Sequence, residues 1–435
     1  MNTSYVPLAA AYLLFLLVSA RLSRGRFSPA IAFFVTWSVS LGLLAVGPAL
    51  SPYFLSPPLS DDAANFLLAI GGCFLSGTFV AHAVGKPRLV RQSAKVTPAF
   101  ELRLLQCLAA ASLLLAGFAL YRDAANFREY LTNASAIRAQ LTSTDAQGSA
   151  IGSLATYAAL VVTPVAAVYW LYFRRIRWWQ LAPLLAIGLL SIAAIGKLMV
   201  IFLSLTFINQ FLYHQRVTSR RMRRGPLIVT CMAVATIFVV TTYLRNVGRT
   251  DNANSRSGLA VTIFDYATGY VPAFSGYFAE YLAGEVSTSP VNPDYDPSVR
   301  RFGNQTFSGV YRTLAQLGLL DRSATNRYDG AFNVYTIYRD LVMDFGVTGT
   351  YVAIFFLSLV VTLFYRFRDP RNPSQTLVLS LATTQIEFTL IYSLFGFVFF
   401  PLMLICSPLF MHVPRAIGRQ DELGASAVAP HPNPR

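Results

Sequence analysis

The sequence is poor in cysteine, in charge and in the short motifs that bind metals or nucleotides. Four cysteines in 435 residues frame no disulfide scaffold. Cys73, Cys107, Cys231 and Cys406 all fall in apolar runs, where Cys serves as a small filler. Charged residues make up 13% of the chain, against about a quarter in soluble domains, which argues against a soluble protein of two or three domains. No His-Glu-x-x-His or paired Cys-x-x-Cys spacing is present, and no Walker or Gly-x-Gly-x-x-Gly loop. Neither a metal nor a cofactor is therefore expected. Disorder is excluded too, because 54% of the residues are hydrophobic.

What the chain does have is apolar runs of about 20 residues, the length that crosses a bilayer. They lie at 5–20, 28–50, 62–84, 100–120, 151–173, 178–195, 197–213, 226–244, 341–365, 376–393 and 396–413. The first lacks the basic n-region and cleavage site of a signal peptide and reads as a span. The stretches 178–213 and 376–413 are too long for one crossing, so each is split into a helical hairpin. The expected fold is an all-α polytopic membrane protein of about 11 transmembrane helices. Residues 1–420 form a single membrane domain in this reading, and 421–435 a disordered tail. Two connections are large, 121–150 and 245–340, the second between spans eight and nine.

The net charge of +15 is unevenly spread. Arg21, Arg24 and Arg26 follow span one, and Lys86, Arg88, Arg91, Lys95 and Arg103 surround the start of span four. Arg174, Arg175 and Arg177 follow span five, while Arg216, Arg220, Arg221, Arg223 and Arg224 follow span seven. Arg366, Arg368 and Arg371 follow span nine, and Arg415, Arg419 and Arg435 sit in the tail. The only acids on this side are Glu101, Asp369, Asp421 and Glu422. Such loops face the cytoplasm, so the N-terminus is expected outside and the C-terminus inside. A nucleic-acid partner is rejected, because these residues occupy short loops with no base-reading or stacking element.

Basic residues kept on the outer side against this bias invite a chemical reading. Lys197 lies in Ala-Ala-Ile-Gly-Lys-Leu-Met-Val-Ile-Phe, at a hairpin tip or within the membrane, where an ionisable group is costly. Arg245 and Arg249 leave span eight directly, and Arg339 precedes span nine. Arg forks and a Lys point charge suit phosphate oxygens, and at the outer interface those belong to a lipid headgroup or a lipid-linked diphosphate. The simpler competitor is a set of snorkelling anchors. Tyr266, Tyr270, Tyr277 and Tyr281 fall within a ~60° arc of helix, although Pro272 favours two short helices over one. They read as a sugar-binding surface or as an interfacial aromatic belt. Acids that suit a general base are Asp265, Glu280, Asp329, Asp340 and Asp344. Asp340 and Asp344 share a helix face, and for either the competing role is simply to pair with Arg339. The four His (82, 214, 412 and 431) fall on the cytoplasmic side, which excludes an outward-facing His base.

These residues together resemble the bacterial O-antigen polymerase (Wzy) family, the oligosaccharide repeat unit polymerases. The matching pieces are Ile137-Arg138 late in the first outer loop, Gly196-Lys197 inside a long hairpin and Leu244-Arg245-x-x-Gly248-Arg249. Further on come Gly303-Asn-Gln-Thr306-Phe and Asn333-Val-Tyr335-Thr336, followed by Asp344-Phe-Gly346-x-x-Gly349. The likeness covers topology along the whole chain and motifs over about 130–350. Departures are a Lys after Gly196, where Arg is common, and nine residues between Arg138 and Gly148, where some members have ten.

The resemblance implies a membrane-embedded, metal-independent glycosyltransferase of type C-like architecture in the bacterial inner membrane, with the N-terminus periplasmic. It would transfer a growing glycan from undecaprenyl diphosphate to a sugar hydroxyl of the next lipid-linked unit, with no ATP. Arg138, Lys197, Arg245, Arg249 and Arg339 would contact diphosphate or sugar. Thr306, Asn333 and Tyr335 would position the acceptor, and Asp344, Asp265 or Glu280 would act as general base. Membrane lipid and a chain-length regulator are the further partners expected. The alternatives are an O-antigen ligase-type enzyme and a lipid-linked oligosaccharide flippase. The ligase usually relies on an outer-loop His, and the flippase predicts repeated halves; neither is found.

Overall fold

The computed structural model describes residues 4–84 apart from 52, 55 and 56, then 197–214, 259–285, 336–369 and 372–390. Residues 303, 305–307, 310 and 311 and a few scattered positions are described as well. The chain divides into two compact units, one of Met1–Pro87, Arg249–Arg368 and Leu381–Pro401, the other of Arg88–Gly248, Asp369–Ser380 and Leu402–Arg435. The secondary structure of the described residues is helical, without strands.

In the first unit α1 (Val6–Leu22), α2 (Pro29–Leu50) and α3 (Asp61–Ala83) follow one another. Their starts are coded locally. Ser28 caps α2, its Oγ accepting from the Ile31 N–H, with Pro29 at the first helical position. Ser60 caps α3 in the same way, and Asp61 and Asp62 then meet the positive end of the helix dipole. All three helices lie within a residue or two of the expected spans. The large connection contributes α5 (Leu259–Thr268) and α6 (Tyr270–Ala283). After it comes α7 (Ile337–Phe367), then α8 (Pro373–Glu387) with a 3-10 turn at Phe388–Leu390. In the second unit, α4 (Lys197–His214) begins where the hairpin 178–213 was expected to turn. It buries Thr206, Asn209, Gln210, Tyr213 and His214 on one side, and Gln210 donates to the Pro164 carbonyl at 3.1 Å. The expected spans at 100–120, 151–173, 178–195, 226–244 and 396–413, and the tail, lie outside the described residues or nearly so.

Among the described residues, three helices are long and apolar enough to cross a membrane, α2, α3 and α7, and α1 is a shorter apolar helix. Their outward faces are apolar: Leu13, Leu14 and Leu17 on α1, Phe79 on α3, and Val352, Phe356 and Val360 on α7 are all exposed. Water would penalise such a surface and lipid would not. The chain is a helical membrane protein.

Packing inside the first unit sets helix direction. Tyr5 Oη donates to the Pro57 carbonyl and Tyr12 Oη to the Leu67 carbonyl, each at 2.8 Å, so α1 and α3 run parallel. Along α3 and α7 the contacts also advance together, from Phe66 against Tyr338 to Thr78 against Ser358. At their far ends the Arg366 guanidinium donates to the Ala81 and Val84 carbonyls, which α3 itself leaves unpaired. Thus α1, α3 and α7 all end on one side, where Arg21, Arg24, Arg26, Arg366 and Arg368 gather. The opposite end carries Asp61, Asp62, Asp340 and Asp344.

The two helices α5 and α6 lie at that acidic end. Phe264 of α5 stacks on Phe54 at 4.5 Å, and Ser40 Oγ donates to the Ala267 carbonyl. Phe274 and Phe278 of α6 pack on Phe66. The expected pair of short helices is present, but the break falls at Gly269. Pro272 sits in the first turn of α6, where its missing N–H has no intrahelical partner to lose.

Candidate functional site

The N-terminal part of α7 holds the residues of interest. Gly346 has φ 67° and ψ −179° inside the helix, a backbone state open essentially to Gly. It divides the element into 337–345 and 347–367. The second piece is about 31 Å long at 1.5 Å per residue, matching the hydrocarbon core. The unbroken helix therefore begins after Gly346, inside the expected span 341–365. Space does not demand the glycine, since the nearest atom to an added Cβ is Tyr281 Oη at 3.9 Å. Gly346→Ala should lower stability by about 1–3 kcal/mol through strain alone, read as a fall in melting midpoint. Gly276→Ala in α6, where nothing lies within 4 Å of the added methyl, should leave that midpoint in place.

Two residues before this break, Asp344 reaches the turn that starts at Gly303. Gln305 N–H donates to Oδ1 at 3.0 Å and to Oδ2 at 3.1 Å. Thr306 donates to Oδ2 twice, from its N–H and from Oγ1, each at 2.7 Å. Thr306 is buried and Asp344 half-buried. Two predicted site residues 38 positions apart are thus in direct contact.

One turn earlier stands a buried ion pair. Arg339 Nη2 and Nε both donate to Asp340 Oδ1, at 2.7 and 3.1 Å, and both residues are less than a tenth exposed. Of the two acids considered for Arg339, Asp340 is the one it pairs with. Neighbours in a helix do not normally face each other; here the long Arg side chain turns back onto its successor. Beside them Tyr338 stacks on Trp37 at 5.2 Å, and Trp37 Nε1 donates to Thr389 Oγ1 at 3.2 Å. Glu387, the acid expected within span ten, ends α8 and is buried.

The other predicted residues are placed as follows. Lys197 is the first residue of α4, and its helix position alone is described. Arg138, Arg245, Arg249, Asn333 and Tyr335 lie outside the described residues, as does Asp329. So does Asp294-Tyr-Asp296, an Asp-x-Asp spacing in the large connection. Asp265 stands on the exposed side of α5, where nearby protein atoms shed enough water to raise its carboxyl above the usual pKa. Glu280 stands on the exposed side of α6.

The tyrosine arc does not form a sugar-facing surface. Tyr270 and Tyr277 are buried, with Tyr277 against Phe274, and Tyr281 alone of the three placed rings is half-exposed. The apolar face of α6 turns inward onto α3 and α7, because that burial outweighs display of amphipathic rings to solvent. The sequence offered no cue to the backbone N–H of Gln305, and it left Asp340 and Asp344 as equal candidates for Arg339. Gly303 and Gly346 were visible as motif glycines, but not their positive φ angles of 68° and 67°.

No protein-family model matches the chain, and no curated protein and no solved structure matches it either.

Proposed function

We propose that this protein is a metal-independent glycosyltransferase of the O-antigen polymerase (Wzy) type. It lengthens a glycan by moving it from undecaprenyl diphosphate to a sugar hydroxyl of the next lipid-linked unit, at the periplasmic face of a bacterial inner membrane. The observation that carries this reading is the contact between Thr306 and Asp344. Two of the sequence pieces on which the family resemblance rests, Gly303–Phe307 and Asp344–Gly346, fold against each other at one end of the bundle.

Direction and charge support it. Parallel α3 and α7 require an odd number of crossings between them, and the eleven-span reading has five. The arginine-rich end is then cytoplasmic, and Arg339, Asp340, Asp344 and Thr306 belong to the periplasmic side. Lys197 opens α4, the helix end whose dipole repels a cation. A lysine kept there suits an anion.

The chemistry is a displacement at the anomeric carbon. The acceptor hydroxyl forms the new glycosidic bond and gives its proton to a base, while the bond from carbon to diphosphate oxygen breaks. The leaving lipid diphosphate takes the electron pair. Arg138, Lys197, Arg245, Arg249 and Arg339 are the groups assigned to that developing charge, where preorganised cations contribute most. The test is to size the products after purified protein meets lipid-linked repeat units. A ladder is the result expected of a polymerase. Transfer to a single different lipid acceptor would favour the ligase, and no new glycosidic bond would leave the flippase.

A further inference from the structure

We infer that Asp344 is a positioning residue, whose carboxylate caps the turn that starts at Gly303 and so fixes Thr306. What Thr306 is held for rests on the glycosyl-transfer reading; the cap itself stands on geometry.

The turn is helical. Phe307 N–H donates to the Gly303 carbonyl at 2.8 Å, and Val310 and Tyr311 N–H donate to the Phe307 carbonyl at 2.9 and 3.2 Å. The first N–H groups of any helical turn have no carbonyl partner within it. A Ser, Thr or Asp just ahead normally accepts them. Here the acceptor arrives from α7, 38 and 39 residues downstream. Three of its bonds converge on Oδ2 at 2.7 to 3.1 Å, the two at 2.7 Å being as short as charge-assisted bonds become.

Both flanks are built for this approach. Gly303 has φ 68°, and a Cβ there would sit 2.5 Å from the Phe307 ring and 3.5 Å from the ring of Phe345, the residue after Asp344. Gly346 ends the helical piece two residues beyond the carboxylate. Turn and helix piece are thus joined by the capped carboxylate, with the Phe345 ring standing beside Gly303.

The same geometry separates this role from general-base catalysis. A base must bind the acceptor's proton in every cycle. A proton on Oδ2 would set an O–H against the Thr306 N–H, and a proton on Oδ1 would neutralise the charge that all four bonds share; either weakens the cap when Thr306 is needed. Asp344 therefore works through Thr306 and the turn, not on the hydroxyl.

Asn and Ala substitutions tell the two roles apart. Asp344→Asn keeps an oxygen acceptor at the Oδ2 position but takes no proton at working pH. Two readouts on the purified full chain are needed: deuterium exchange at the Gln305 and Thr306 amides, and transfer rate with lipid-linked units. Asp344→Asn should hold both within about tenfold of wild type, whereas Asp344→Ala should speed exchange on the order of 100-fold and lower kcat. A fall of about 10²–10⁴ in rate for Asp344→Asn with exchange unchanged is the signature of a lost general base and overturns the inference. Wild-type exchange in Asp344→Ala overturns the cap. If Asp344→Ala fails to fold, Thr306→Val, which deletes only the hydroxyl donor, should still speed exchange about tenfold; no change there also overturns it. A wild-type protein without transfer activity sinks the functional reading, and the exchange result still decides the cap.

Discussion

Gly77→Leu should remove the folded protein from the membrane extract. Gly77 sits where α3 and α7 touch: an added Cβ would run into the Phe355 carbonyl oxygen and stand 3.0 Å from Ser358 Cβ and 3.1 Å from Leu359 N. These are backbone and near-backbone atoms that cannot swing aside. Close approach at a small residue is how helices associate in lipid, where no hydrophobic drive pushes them together. The approach also lets Thr78 Oγ1 meet Ser358 Oγ at 2.9 Å, and Ser358 Oγ donate to the Phe74 carbonyl at 2.6 Å. A leucine separates the helices and breaks the Ser358 hydroxyl's bonds to α3, a loss of about 3 kcal/mol by overpacking with the hydrogen bonds in addition. The check is the monodisperse fraction in detergent and its melting midpoint. Gly77→Ala should fall the same way by less, and Gly72→Ala, with nothing within 4 Å of its methyl, should not fall. A Gly77→Leu protein that melts like wild type would refute the α3–α7 packing.

Arg249→Ala and Lys197→Ala should each abolish polymer while expression stays normal. In the proposed reaction the bond that breaks leaves its charge on a diphosphate, and losing one preorganised donor at such a centre costs about 10²–10³ in rate. Multiplied over successive additions, that deficit removes long chains altogether. Arg21→Ala, in the last turn of α1, should leave chain length unchanged, because it stands at the opposite end of the bundle from Asp344 and Thr306. Wild-type chain lengths in both outer variants would end the diphosphate assignment.

The ends of α1, α2 and α3 were legible because apolar runs, Ser caps and Pro29 all mark the same boundaries. The break at Gly346 was not, since a glycine inside an apolar helix looks the same in sequence whether its φ is negative or positive. Nor could the pattern say which way α6 faces. Tyr270, Phe274 and Tyr277 recur at helical spacing whether they meet sugar or α3, and packing chose α3. For the site, the sequence named Thr306 and Asp344 separately and ranked Asp344 as a base. Their hydrogen bonds depend on a contact across 38 residues that no local pattern encodes. The partner of Arg339 was narrowed to Asp340 or Asp344 but not chosen: helical spacing does not bring adjacent side chains face to face, yet Asp340 holds it at 2.7 Å.

The central claim is that each glycosidic bond is made at the expense of one lipid diphosphate. The most direct measurement counts both in one reaction of purified protein with lipid-linked units. Undecaprenyl diphosphate released should equal new glycosidic bonds at every time point, without added metal or ATP, as the product ladder lengthens. Bonds formed without equivalent release of the lipid diphosphate, or a ladder that requires ATP, would contradict the account.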